Sequence, residues 1–102
     1  MKKITVHTPQ THTKIILEAI NKSGAGIIGS YDYCSFITQG IGTFRPLENS
    51  KPIIGELNKI EFVMEDKVEF VCPDELVKNC IEQIKNVHPY EEVAYCIIDI
   101  TK

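Results

Sequence analysis

No CxxC pair links any of the four cysteines, Cys34, Cys72, Cys80 and Cys96, and their spacing has none of the density of a disulfide-stapled secreted domain. They read as reduced thiols. Long apolar runs are missing as well: Lys2 and Lys3 are followed only by Ile4-Thr5-Val6 before His7 and Pro9, too short for a signal peptide. Nor does any other stretch approach the length of a membrane span. The expected setting is cytoplasmic, with no membrane partner. Strong charge is the third absence. A net charge of −3 is small and of the wrong sign for a phosphate backbone, so nucleic acid is not an expected partner.

What remains is an ordinary globular composition. The chain has 102 residues, 43% hydrophobic and 25% charged, which supports one core and one domain spanning 1–102 and argues against disorder.

Period-2 alternation of Ile4 and Val6 with Lys3, Thr5 and His7 predicts a strand with one buried face. Thr8-Pro9 ends it and offers a cap and a first-turn proline for a helix. In that helix His12, Ile16, Ala19 and Ile20 share a face, and Gly24 is placed to close it in a left-handed conformation. A strand over Tyr31 to Thr38 is expected next. Residues 39 to 58 then hold turn formers, Gly40, Gly42, Pro46, Asn49, Ser50, Pro52 and Gly55, and read as a long binding loop or as an arm on a neighbouring subunit.

The second half repeats the plan. Ile60, Phe62 and Met64 predict an extra strand, in a hairpin with a strand at 67 to 72 that carries Val68, Phe70 and Cys72 on one face. Pro73 leads into a helix with Val77, Cys80, Ile81 and Ile84 on its apolar side, and His88-Pro89 ends it. The last strand, Val93 to Ile98, is apolar on both sides and is expected to be central or covered. The pattern is a βαβ-βαβ sandwich of the α+β class, ferredoxin-like, with an extra hairpin between its halves. Two helices cover one face of such a sheet, and the apolar residues on the other call for further chain or a second copy, so a homo-oligomer is expected.

Gly24-Ala25-Gly26-Ile27-Ile28-Gly29 spells GxGxxG, but a helix precedes it and a strand follows, the reverse of what pyrophosphate binding needs. It reads as capping and turning, and no cofactor is assigned. His12, Cys34 and His88, with Glu91 and Glu92, have metal-ligand chemistry but no zinc spacing. His12 fits a core-facing histidine better than a ligand, and His88 could equally be a cation held at a helix C-terminus. Cys34-Ser35 with a histidine base would be needed for nucleophilic catalysis, and no catalytic residue is assigned. Arg45, between Phe44 and Pro46, can fork onto a ligand carboxylate or phosphate, or form an intersubunit ion pair.

Four blocks in order carry a resemblance: Gly24-x-Gly26-x-x-Gly29-x-Tyr31-x-x-Cys34-Ser35-Phe36, Gly40-x-Gly42-Thr43-Phe44-Arg45-Pro46, Pro52-x-Ile54-Gly55, and His88-Pro89-Tyr90-Glu91-Glu92-x-Ala94-Tyr95. Over essentially its whole length the chain resembles a stand-alone version of the domain inserted in the YqfO-type members of the Ngg-one-interacting factor (NIF-three-like) family. The resemblance implies a fold similar to the PII proteins and to CutA, and a trimer. The resemblance bears on architecture more than on activity. With no catalytic set assembled and a long, turn-rich loop, the expected function is a non-catalytic regulatory or small-ligand-binding module in which the Gly40 to Gly55 loop and the His88 to Glu92 segment meet at subunit clefts, with Ser35, Gly40, Gly42, Arg45, Tyr90 and Glu91 at the ligand. Two alternatives stand beside it: a divalent-metal-binding protein or metal-assisted hydrolase using His12, Cys34 and His88, and an interaction module for a separate metal-bearing partner protein. The residues that hold paired metals in the larger members lie in flanking halves outside this sequence, so no dinuclear site is carried over. Cys96 departs from the aspartate that follows the Ala-Tyr pair in relatives, which weakens cation coordination there.

Overall fold

The computed structural model describes residues 1–52 and 54–101. Six main elements follow in order: β1 (Lys2–Pro9), α1 (Thr13–Lys22), β2 (Phe36–Phe44), β3 (Glu61–Cys72), α2 (Val77–Val87) and β4 (Tyr95–Asp99). The strands form one sheet in the order β2-β3-β1-β4, with every neighbouring pair antiparallel. This is the ferredoxin-like order, built from two strand-helix-strand halves as the alternation of periods predicts. Among the described residues no helix is long and apolar enough to cross a membrane.

The register fixes the two faces of the sheet. Ile4 pairs with Phe70 and Val6 with Val68, and these four side chains are buried beneath the helices. Ile16 and Ile20 from α1 and Cys80 and Ile84 from α2 complete the core, with Leu17, Val77 and Ile81 packed around them. Ile16, Ala19 and Ile20, and Cys80 and Ile84, therefore face inward as their helical spacing predicts, whereas His12, expected on the same face, lies in the turn before α1 and outside the core cluster. Burial pushes the Cys72 thiol up to about 12 and raises that of Cys80, so both stay protonated, behaving as small hydrophobes.

Both helices are entered through a single 3-10 turn, Gln10–His12 and Asp74–Leu76. Thr8 does not cap α1: it is buried in β1, and its hydroxyl donates to the Pro9 carbonyl at 3.1 Å. Asp66 anchors the helix start instead. Its buried carboxylate accepts from the Thr13 hydroxyl at 2.7 Å and from the Gln10 amide at 3.3 Å. Gly24 does close α1, at φ 90°, with its N–H donating to the Asn21 carbonyl at 3.0 Å.

Three expected boundaries are corrected. Residues 60–64 and 67–72 do not form a hairpin with each other, because Glu61–Cys72 is one unbroken strand. Even-numbered positions from 60 to 72 keep a single phase, and Asp66 continues it by finding buried partners rather than turning the chain. The hairpin is the β2–β3 pair itself, from Phe36 opposite Glu69 to Phe44 opposite Glu61. Accordingly β2 begins at Phe36 rather than Tyr31, and Gly40 and Gly42 lie within it rather than in a loop. Residues 26–34 are a loop tied down by Gly26 N–H to the Val71 carbonyl and Cys34 N–H to the Gly26 carbonyl, each at 2.8 Å. Finally, β4 is an edge strand paired only with β1, and all five of its residues are exposed.

The sheet face away from the helices is mixed. By register it carries Phe36, Val71, Cys96 and Ile98 among Lys3, Thr5, Glu65, Lys67 and Glu69. The far half of the hairpin runs out past the helices and leaves apolar side chains bare on the helix side, Phe62 at 71% and Ile41 at 66% exposure, with Met64 and Ile37 beside them.

Candidate functional site

A cavity of about 420 Å³ opens where the hairpin end meets the segment between α2 and β4. Strands supply its floor. His7 on β1, Glu65 on β3 and Gly42 and Phe44 on β2 share the helix-free face and line it. Arg45, Pro46 and Leu47 bring the chain out of β2 along one wall, and Tyr90, Glu91 and Glu92 form the wall opposite. His7, Gly42 and Glu65 also line an adjoining depression of about 300 Å³ that reaches Gly40, so the two hollows meet at Glu65.

The wall after α2 is held by His88. The proline that follows stops the helix, and His88 turns extended at ψ 137° with its ring buried. Its Nε2 is 2.7 Å from the His7 carbonyl oxygen, which can only accept, so Nε2 carries the proton. Its Nδ1 then accepts the Tyr90 N–H at 3.1 Å. Burial pushes the ring below its ordinary range, and the neutral tautomer is the one both contacts require. His88 is therefore a neutral splice between β1 and the cavity wall, not a cation at a helix end.

Tyr90 continues the chain of contacts. Its hydroxyl donates to Glu65 Oε2 at 2.6 Å, and its ring meets Phe44 at 5.6 Å between centroids, tilted by 59°. Burial and the adjacent carboxylate push the phenol upward, so it remains a donor at neutral pH. The Glu65 carboxylate lies over Gly42, in the space a Cβ there would take. From the loop, Lys51 N–H donates to Glu91 Oε1 at 3.0 Å, tying the far wall to the near one. Gly55, at φ 95°, folds that loop back against Phe44 and Glu61, where a Cβ would meet Glu61 Cγ at 2.8 Å.

Of the residues picked out by sequence, Gly42, Arg45, Tyr90 and Glu91 line the cavity, Gly40 lines the adjoining depression, and Ser35 lies outside both, just before β2. Glu92, noted in the sequence only for its metal-ligand chemistry, lines the cavity too, and His7 and Glu65 line it without having been picked out. A single alternation carried through 61–72 would have placed Glu65 on the free face. His12, Cys34 and His88 are not brought together around one point: among the described residues no group of three His, Cys, Asp or Glu side chains could hold a metal ion. The Cys34 thiol contacts the carbonyls of Tyr31 at 3.5 Å and Asp32 at 3.7 Å, His12 Nδ1 meets the Thr11 hydroxyl at 2.9 Å, and both nitrogens of His88 are taken by backbone.

The fold is that of a small α+β module of the CutA and PII-like kind. Across its full length the chain overlays on CutA1 from Pyrococcus horikoshii with a TM-score of 0.70 at 17% identity, covering 85% of that chain. Its sequence kinship lies elsewhere. It is 41% identical over 100 residues to a GTP cyclohydrolase 1 type 2 homolog of Bacillus subtilis, a match covering 98% of this chain and 27% of that protein. It also overlays with a TM-score of 0.83 and 36% identity on a Bacillus cereus protein related to NIF3, covering 99% of this chain and 26% of that one. No family model matches the chain. The chain is a domain of the NIF-three-like kind, and it spans about a quarter of the length of the curated relatives it matches.

Proposed function

We propose that residues 1–102 act as one domain of a cytoplasmic, homo-oligomeric binding module that holds a small ligand in the cavity between the hairpin end and the His88 to Glu92 segment. The observation that carries this reading is the construction of the cavity. Four separated stretches of chain converge on it, and Glu65, Tyr90 and Glu91 are held by one another or by backbone, as in a preformed site. Each hydroxyl or imidazole in these contacts positions a neighbour, which favours binding over catalysis.

The oligomer is supported by the bare apolar stripe on the hairpin overhang and by the exposed apolar β4 edge, both of which a second copy of the chain can cover. A trimer is the arrangement proposed. Sedimentation velocity at micromolar concentration, with and without a small-molecule collection, tests the reading: a trimer and ligand-dependent stabilisation are expected. A monomer that responds to nothing in the collection overturns both the oligomer and the binding site.

A second reading is favoured by one observation, the share of its relatives that the chain represents. The remaining three quarters of such proteins are natural partners for this domain, which would then act as an interaction module for a separate protein.

A further inference from the structure

We propose that the cavity takes an organic cation, an ammonium or guanidinium group carried on an apolar body. The inference rests on the reading of the cavity as a ligand site and adds the chemistry of the ligand. Three kinds of observation point the same way.

The first is charge. Arg45 shares the lining with three carboxylates, Glu65, Glu91 and Glu92. Glu65 and Glu91 each give one oxygen to a fixed donor, the Tyr90 hydroxyl and the Lys51 N–H, which orients the carboxylate and leaves the other oxygen for a ligand. Gly42 makes room for the Glu65 carboxylate at the floor. A phosphate-bearing ligand would set several negative charges against this group with a single exposed guanidinium in return.

The second is the aromatic wall. Phe44 and Tyr90 both line the cavity, with centroids 5.6 Å apart and rings tilted by 59°, and the electron-rich face that an aromatic ring carries attracts a cation brought over it. The third is the apolar lining. Leu47, Pro52 and Ile54 offer surface to a hydrocarbon body, and about 420 Å³ suits a ligand of small-molecule size. A neutral ligand would fill the same volume but would cover the carboxylates without replacing their water.

The test uses three ligands sharing one phenyl-ethyl body, phenethylammonium, 2-phenylethanol and 3-phenylpropanoate, with ATP as a polyanion, titrated into the full chain and followed by amide chemical shifts. Phenethylammonium is expected to move Phe44, Arg45, Tyr90 and Glu91 saturably, with affinity about tenfold above the alcohol and falling with added salt. Glu65→Gln, which keeps an acceptor for Tyr90, and the exposed Glu92→Gln should each weaken the ammonium several-fold, while Arg45→Gln should strengthen it. Tighter binding of phenylpropanoate or ATP at those residues, lost in Arg45→Gln, would overturn the cationic chemistry while leaving the cavity as a site. Equal affinity for alcohol and ammonium would do the same. Absence of any shift at the cavity with all four ligands would remove the site and the chemistry together.

Discussion

The Tyr90 hydroxyl donates to Glu65 Oε2 at 2.6 Å, joining the segment after α2 to the middle of β3 across the cavity floor. Because the acceptor is ionised, the contact belongs to the stronger class of hydrogen bonds. Tyr90→Phe is expected to cost about 1–2 kcal/mol in urea denaturation, toward the low end because the pair is only partly buried. The same change should alter alkaline behaviour. Folding raises the Tyr90 pKa above its ordinary 10.0, so the stabilisation it represents is complete below pH 10 and is lost as pH rises further toward the folded-state value. Stability of the wild type should therefore fall above pH 10, and Tyr90→Phe should flatten that fall.

His88 gives the opposite pH dependence. Its folded pKa is depressed below 6.5 by burial, so the unfolded chain binds the extra proton first and stability declines as pH drops below about 6.5. Denaturation midpoints between pH 7.5 and 5 should show the decline, with His88→Gln, which does not titrate there, showing a shallower one. Nitrogen chemical shifts at pH 7 should report a neutral ring protonated on Nε2.

Gly42 and Gly40 lie two residues apart on β2 and should respond differently to alanine. A Cβ at Gly42 meets the Glu65 carboxylate, which must swing away and give up Tyr90, whereas a Cβ at Gly40 meets nothing within 4 Å. Gly42→Ala is expected to cost roughly 1–3 kcal/mol, the range for disrupting a partly buried charged hydrogen bond. Gly40→Ala should be neutral or stabilising by up to about 1 kcal/mol through the unfolded chain. Paired thermal melts separate the two.

Asp66→Ala removes the two side-chain hydrogen bonds that tie the start of α1 to β3, from Thr13 and from Gln10, and leaves the buried Thr13 hydroxyl without its acceptor. A loss of about 1–3 kcal/mol is expected in chemical denaturation. Hydrogen exchange should show the first turn of α1 opening before its last.

Phe62→Ser acts on the bare overhang, where Phe62 is 71% exposed. Folding of a single protomer should change by no more than about 0.5 kcal/mol, as for other exposed positions. Sedimentation should nonetheless show a smaller species, since the stripe that a second copy would cover is interrupted.

The helices were legible because their signals are local: Ile16, Ala19 and Ile20, and Cys80 and Ile84, repeat at helical spacing and are buried where that spacing puts them. The unity of β3 was obscured by Glu65-Asp66-Lys67, a polar run that looks like a turn until Thr13 and Gln10 arrive from 53 and 56 residues away to satisfy Asp66. Position within the sheet is non-local in the same way. Nothing in Val93 to Ile98 distinguishes an edge strand covered by another copy from a central one, and the pairing with β1 alone decides it. At the site, Arg45, Tyr90 and Glu91 stood out as polar residues in proline-bearing and glycine-bearing segments. His7 and Glu65 did not, since an exposed polar residue in an alternating strand is what any half-buried sheet provides. For His88 the sequence left a ligand and a helix-end cation open, because its two backbone partners, the His7 carbonyl and the Tyr90 N–H, depend on how β1 and the helix end meet in space.

Amide spectra of the full chain, recorded against a diverse small-molecule library, test most directly whether this cavity is where the protein binds. The account predicts that compounds that bind will move resonances of Gly42 to Leu47 and Tyr90 to Ala94 together, on both walls. Shifts gathered instead on the 26–34 loop or on the outer faces of the helices, with both walls silent, would contradict it.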